Sequence, residues 1–202
     1  FGIKYGNEYF LVRENVIEEI VKTAGDDIII STTGKASREL FEIREKLGQG
    51  HEKDFLTVGS MGHSSSIALG VALSKPESKI WCIDGDGAVL MHMGSMAVLG
   101  AKKPNNVIHV VINNEAHETV GGMPTVAGQV DLTAVALANG YPMAITVKTE
   151  EELKQATGSD SLHDMFLIAP LKAHIFDPEY TAMITDAKLR NSCMLRIIDL
   201  MS

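Results

Sequence analysis

The chain has 202 residues, of which 45% are hydrophobic, with 18 Lys and Arg against 26 Asp and Glu for a formal net charge of −8. That balance excludes a disordered tail, a collagen-like chain and a coiled-coil rod, and fits one domain able to bury its own core. An acidic chain repels phosphate backbones at long range, so nucleic acid is not an expected partner, although local basic groups can still hold a small anion.

Residues 13–24 place Val16, Ile17, Ile20 and Val21 on one face of an amphipathic helix, which Gly25 can end. Residues 27–31 are a short apolar run between turn signals, a buried strand. Residues 37–47 read as a helix with Leu40, Ile43 and Leu47 inward, and 55–58 as a second strand. Gly59-Ser60-Met61-Gly62 breaks that strand, and small residues build a helix over 64–73. A third strand follows at 79–84 and a buried helix at 88–101, with Met91, Met93 and Met96 as core filler. The β-branched run 107–112 is the fourth strand; then come a helix at 132–139, a strand at 144–147 and a helix at 150–156. Strand and helix alternate throughout. This predicts an α/β fold, a doubly wound and mostly parallel sheet with helices on both faces.

Two cysteines, Cys82 and Cys193, offer no disulfide framework and no paired-thiol metal spacing; Cys82, within Ile80-Trp81-Cys82-Ile83, reads as buried packing. The weakly polar stretch 87–101 is too short to span a membrane. The start shows no signal-peptide pattern, so a cytoplasmic protein is expected, and the opening Phe1-Gly2-Ile3, without an initiator Met, reads as a piece of something longer.

In open parallel sheets ligands bind beyond the carboxyl ends of the strands. Asp84-Gly85-Asp86-Gly87-Ala88 is such a strand end. Two glycines bracket a carboxylate where a helix begins; a phosphate there needs a cation between it and the carboxylate, a role that suits Mg²⁺. Read alone, the loop is as readily a tight turn with an Asp cap. Asn113-Asn114 follows the next strand, and its amide carbonyls are uncharged hard ligands; read alone, these are turn-forming asparagines. Between the two loops lie residues 88–112, one helix and one strand, so a right-handed crossover brings both to one sheet edge. No Gly-x-Gly-x-x-Gly follows the first strand and no P-loop is present, which weakens nicotinamide and nucleoside triphosphate readings.

Gly85-Asp86-Gly87 followed at this distance by Asn113-Asn114 resembles the signature of thiamine diphosphate enzymes. Thr32-Thr33-Gly34-Lys35, Gly59-Ser60-Met61-Gly62-His63 and His117-Glu118-Thr119-Val120-Gly121-Gly122-Met123-Pro124-Thr125 further resemble the diphosphate-binding half of the phosphonopyruvate decarboxylase branch, whose near relative is the sulfopyruvate decarboxylase β subunit. The resemblance implies thiamine diphosphate and Mg²⁺ as cofactors. It implies Asp86, the Asn114 side chain and the Ala116 carbonyl as metal ligands, and cofactor contacts from Thr33, Gly34, Lys35, Gly59, Met61, Gly85, Gly87 and Ala88. The Gly87 and Ala88 amides would hold the diphosphate, Met61 would sit under the bend of the cofactor, and the Gly59 carbonyl and Met61 N–H would meet the aminopyrimidine.

The implied reaction is the decarboxylation of a small anionic 2-oxo acid, 3-phosphonopyruvate giving phosphonoacetaldehyde and carbon dioxide, with the cofactor storing the electrons. Sulfopyruvate is the alternative substrate. His117 and His63 are the candidate proton donors, each otherwise a neutral histidine bonded to backbone. Lys35 and Arg38 are candidate anion holders, Glu118 is placed to tune His117, and His92 and His109 read as structural.

In such enzymes a glutamate on a separate pyrimidine-binding domain activates the cofactor. Nothing in this chain matches that domain, so a partner domain or subunit and a homo- or hetero-oligomer are expected. The residues divide as 1–157, the diphosphate- and Mg²⁺-binding domain, and 158–202, a divergent segment including Phe166-Leu167-Ile168-Ala169-Pro170 and Ile197-Ile198-Asp199-Leu200. A different class of reading remains beside these: a non-catalytic cofactor-binding or interaction module.

Overall fold

A computed structural model describes residues 11–158 and 165–170. Six strands form one parallel sheet: β1 (Ile28–Ser31), β2 (Asp54–Leu56), β3 (Ile80–Gly85), β4 (Val107–Asn113), β7 (Met143–Thr146) and β8 (Met165–Pro170), in the order β2-β1-β3-β4-β8-β7. Two further strands, β5 (Ala116–His117) and β6 (Met123–Pro124), make a small antiparallel pair of their own.

The period of two along each strand decides which cover each side chain meets. Ile29, Trp81, Ile83, Ile108 and Val110 face one way, against α1 (Arg13–Ala24), α2 (Lys35–Lys46) and α7 (Glu150–Thr157). Ile28, Ile30, Ile80, Cys82, Val107 and Val111 face the other way, against α3 (Ser64–Ser74), α5 (Gly94–Lys102) and α6 (Leu132–Ala138). The strands therefore read as unbroken apolar runs because both faces are covered, which is the doubly wound arrangement expected.

Two expectations need correction. The helix expected over 88–101 is two helices, α4 (Asp86–Met91) and α5, broken at His92, whose φ of −129° and ψ of 47° are not helical. Gly94, a poor helix former, opens the second piece. The break turns Met91 outward, 55% exposed, so of the three methionines only Met96 is fully buried, and His92 is exposed. The second correction concerns the far end. The sheet does not stop before residue 158: β8 lies between β4 and β7, so Phe166-Leu167-Ile168-Ala169-Pro170 belongs to an inner strand. Residues 197–200 lie outside the described residues.

Chain order reverses between β1 and β3, because β2 lies beyond β1 on one side and β4 beyond β3 on the other. The carboxyl ends of these strands flank the switch point, where this class of sheet opens a crevice.

Candidate active site

A cleft occupies that switch point. Its walls come from the loop after β1, the turns into α4 and out of β4, and Met61 after β2. The space between these walls, with the solvent at its open mouth, is about 520 Å³. Of the residues singled out in the sequence, Thr33, Gly34, Lys35, Met61, Gly85, Asp86, Gly87, Ala88, Asn114, Ala116 and His117 all line it. Gly59 and His63 do not: both are exposed, and the His63 ring turns to the Ser60 carbonyl at 3.2 Å and to His92, with ring centroids 4.2 Å apart. Arg38 also lies off the cleft wall.

Asp86 is the centre of the polar floor. It is 2% exposed, and one carboxylate oxygen accepts from the Thr125 hydroxyl. Burial pushes its carboxyl above the ordinary value, opposed by the Thr125 hydroxyl and the backbone N–H groups of Gly87 and Asn114. The N–H of Asn114 thus ties the β4 loop directly to the β3 loop. A buried carboxylate held against its own desolvation is a position that a cation relieves.

The β4 loop is built from amide turns. Asn113 Oδ1 accepts from Glu115 N at 3.3 Å and Asn114 Oδ1 from Ala116 N at 3.2 Å, while Glu115 takes a left-handed φ of 56° between them. Ala116 pairs in register with Pro124, which has no N–H to give its carbonyl. The oxygen donors gathered here, one buried carboxylate, one buried amide and one backbone carbonyl, are the hard set that Mg²⁺ takes with phosphate oxygens and water completing its shell. Among the described residues, Asp86, Asn114 and Ala116 therefore fit a Mg²⁺–diphosphate group on this observation.

Two glycines of the cleft allow close approaches. A Cβ on Gly87 would lie 2.4 Å from His117 Cε1, so the imidazole rests directly on the loop. Gly62, with φ +86°, does the equivalent for Met61: a Cβ there would meet the Ala88 carbonyl at 2.7 Å, so its absence lets the Met61 loop close onto α4.

One wall was not legible. Arg13, at the start of α1, gives Glu39 two hydrogen bonds of 2.6 Å and Glu118 a third of 2.6 Å, and Lys35 lies 3.2 Å from the same Glu118 oxygen. Burial lowers the affinity of Arg13 for its proton, and the two carboxylates more than reverse this, so the guanidinium stays charged. Glu118 is thus bound to Arg13 and Lys35. Thr32 is also at the cleft, with a buried hydroxyl unpaired among the described residues.

Beneath the floor, His109 Nδ1 meets the Tyr141 hydroxyl at 2.9 Å and Nε2 lies 3.5 Å from Asp84 Oδ2. Cys82 completes that core cluster, fully buried, its thiol pushed up by burial first and by Asp84 second. No helix among the described residues is long and apolar enough to cross a membrane.

Residues 33–164 match the family model described as thiamine pyrophosphate enzyme, C-terminal TPP binding domain. The phosphonopyruvate decarboxylase of Streptomyces viridochromogenes is 38% identical over 143 residues, covering 71% of this chain and 34% of that protein. The sulfopyruvate decarboxylase subunit beta of Methanococcus maripaludis is 39% identical over 146 residues, covering 72% of this chain and 75% of that subunit. The chain thus spans about a third of the first relative and three quarters of the second. In fold it is similar to benzoylformate decarboxylase from Polynucleobacter necessarius, with a TM-score of 0.68 at 16% identity, covering 87% of this chain and 36% of that one. With the cleft at the switch point and the family model covering most of its length, this chain belongs to the thiamine pyrophosphate enzymes and carries their C-terminal cofactor-binding domain.

Proposed function

We propose that this chain supplies the diphosphate- and Mg²⁺-binding half of a 2-oxo acid decarboxylase acting on 3-phosphonopyruvate. The observation that supports the reading is that Asp86, Asn114 and Ala116 line one cleft with Gly87 and Lys35, Asp86 buried within it. In this reading Asp86, the Asn114 side chain and the Ala116 carbonyl hold Mg²⁺. The amides of Gly87 and Ala88, with Thr33, Gly34 and Gly85, hold the diphosphate. Met61 supports the bend of the cofactor, and the Gly59 carbonyl and Met61 N–H bind its aminopyrimidine. The bound cofactor supplies an electron sink for the bond between C1 and C2 of a 2-oxo acid.

The chain's own groups then position and protonate. His117, resting on Gly87 at the cleft wall, is the proton donor, since an imidazole carries and releases a proton near neutral pH. His63 is exposed beside the cleft and takes no such role unless a partner brings it in. The partner is a pyrimidine-binding domain or subunit, which supplies the activating glutamate and excludes water.

A second reading, a sulfopyruvate decarboxylase β subunit, is supported by the relatives equally well: such a subunit is 39% identical to this chain, against 38% for a phosphonopyruvate decarboxylase. Carbon dioxide release from both acids, assayed with the partner present, separates the two. A higher kcat/KM for 3-phosphonopyruvate upholds the first reading, and a higher value for sulfopyruvate overturns it in favour of the second. No release from either acid, with cofactor bound, assigns the chain to a non-catalytic role.

A further inference from the structure

The cations of the cleft are not waiting bare. Lys35 and Arg13 both point to the same oxygen of Glu118, at 3.2 and 2.6 Å. Their anchoring differs. Arg13 is held independently by both oxygens of Glu39, which is 2% exposed, so it keeps its position and a neutralising partner without Glu118. Lys35 has no second carboxylate within salt-bridge distance among the described residues. The supports differ too. Arg13 and Lys35 open 12-residue helices packed on the sheet. Glu118 opens a single 3-10 turn, Glu118–Val120, with Thr119 and Val120 exposed. That turn ends in Gly121 and Gly122, at φ 98° and 71°, a glycine pair that tolerates large backbone change.

We propose that Glu118 is an internal anion that holds the cation pocket of Arg13 and Lys35 and yields it to a tetrahedral oxyanion on the ligand. A carboxylate leaves Arg13 Nη1 and Lys35 Nζ, and a phosphonate or sulfonate oxygen replaces it there, while Glu39 keeps the Nε and Nη2 side of the guanidinium. The consequence is selection: a 2-oxo acid without a second anionic group leaves Glu118 in place. This deepens the substrate side of the proposed function and rests on it, because the same cleft must also hold the cofactor. It also gives Arg13 a role outside residues 33–164, the part that the family model matches.

The test is calorimetric titration of the full chain with phosphonoacetate, with thiamine diphosphate and Mg²⁺ saturating, and with acetate as the control lacking the second anion. Glu118→Gln, which removes the carboxylate charge from Lys35 and from Arg13 Nη1, is expected to bind phosphonoacetate on the order of tenfold tighter than the unmodified chain. Lys35→Met is expected to lose that gain when combined with it, and acetate binding is expected to stay unchanged in both. Melting curves check that each variant is folded, and Glu118→Asp, with a shorter reach to Lys35, is expected to change affinity in the same direction. Unchanged or weaker phosphonoacetate binding in Glu118→Gln overturns the proposal. So does a gain that appears in the thiamine diphosphate titration instead, which would assign the pocket to the cofactor's diphosphate. If the cofactor does not bind at all, the cofactor reading falls, while phosphonoacetate that still binds tighter in Glu118→Gln without it upholds the exchange.

Discussion

The two edges of the sheet treat charge in opposite ways. At the edge where the strands begin, Arg44 grips Asp54 with two bonds of 3.1 and 3.0 Å, gives another of 2.8 Å to Gln49, and both charged partners are buried. Nearby, the Asn106 amide serves the carbonyls of Ala72, Lys75 and Ser78 at 3.3, 3.0 and 2.8 Å. These groups are answered by the protein itself. At the edge where the strands end, Asp86 is buried against its own desolvation, two cations share one Glu118 oxygen, and the glycines leave room. The first edge is a brace. The second gathers charge around a cleft, and the proposed chemistry follows from that.

The contrast breaks most sharply at Asp54. Asp54→Ala leaves Arg44 buried without its partner, so a loss of about 3–5 kcal/mol is expected in urea unfolding; a loss below about 1 kcal/mol would mean that the brace carries little. At the open edge, Thr125→Val removes the hydroxyl that Asp86 accepts from. The expected loss without Mg²⁺ is about 1.5–3 kcal/mol, and it should shrink when Mg²⁺ and the cofactor are added, whereas the Asp54→Ala loss should not. Gly87→Ala drives a methyl into the His117 ring and is expected to cost about 1–3 kcal/mol. His117→Ala in the same chain should recover most of it; additive losses would show that the ring is not what the methyl meets.

The smallest effect belongs to the exposed pairs. Glu18, 2.6 Å from Lys22 on α1, titrates below its ordinary value, chiefly through that hydrogen bond. A depressed carboxyl contributes stability that is present above the unfolded value and lost as pH falls through the folded one. The difference between Glu18→Gln and the unmodified chain should therefore be small at neutral pH and vanish below the usual carboxylate range, as followed by melting temperature against pH. A difference that grows on acidification would reverse the sign.

Much of this was legible locally. The strands were readable because burial on both faces leaves runs such as Ile28-Ile29-Ile30 and 107–112 without polar interruption. The floor of the site was readable because glycines around Asp86 and paired amides at Asn113-Asn114 have few uses after a buried strand. Other features were not. The helix break at His92 hid inside an apolar stretch whose pattern continues through it. The β5–β6 pair is two residues long on each side and leaves no period to read. Arg13 meets Glu39 across 26 residues and Glu118 across 105, and no local spacing announces such pairs. The segment 165–170 was read as divergent because its motif differs, yet its apolar run was enough to make an inner strand.

The central claim is that the cleft binds thiamine diphosphate through a divalent cation on Asp86. Titration of the full chain with thiamine diphosphate, with and without Mg²⁺, tests it directly when repeated on Asp86→Ala. The account predicts Mg²⁺-dependent binding in the unmodified chain and its loss in the variant while the variant stays folded. Binding that is indifferent to Mg²⁺, or equal in Asp86→Ala, would contradict it.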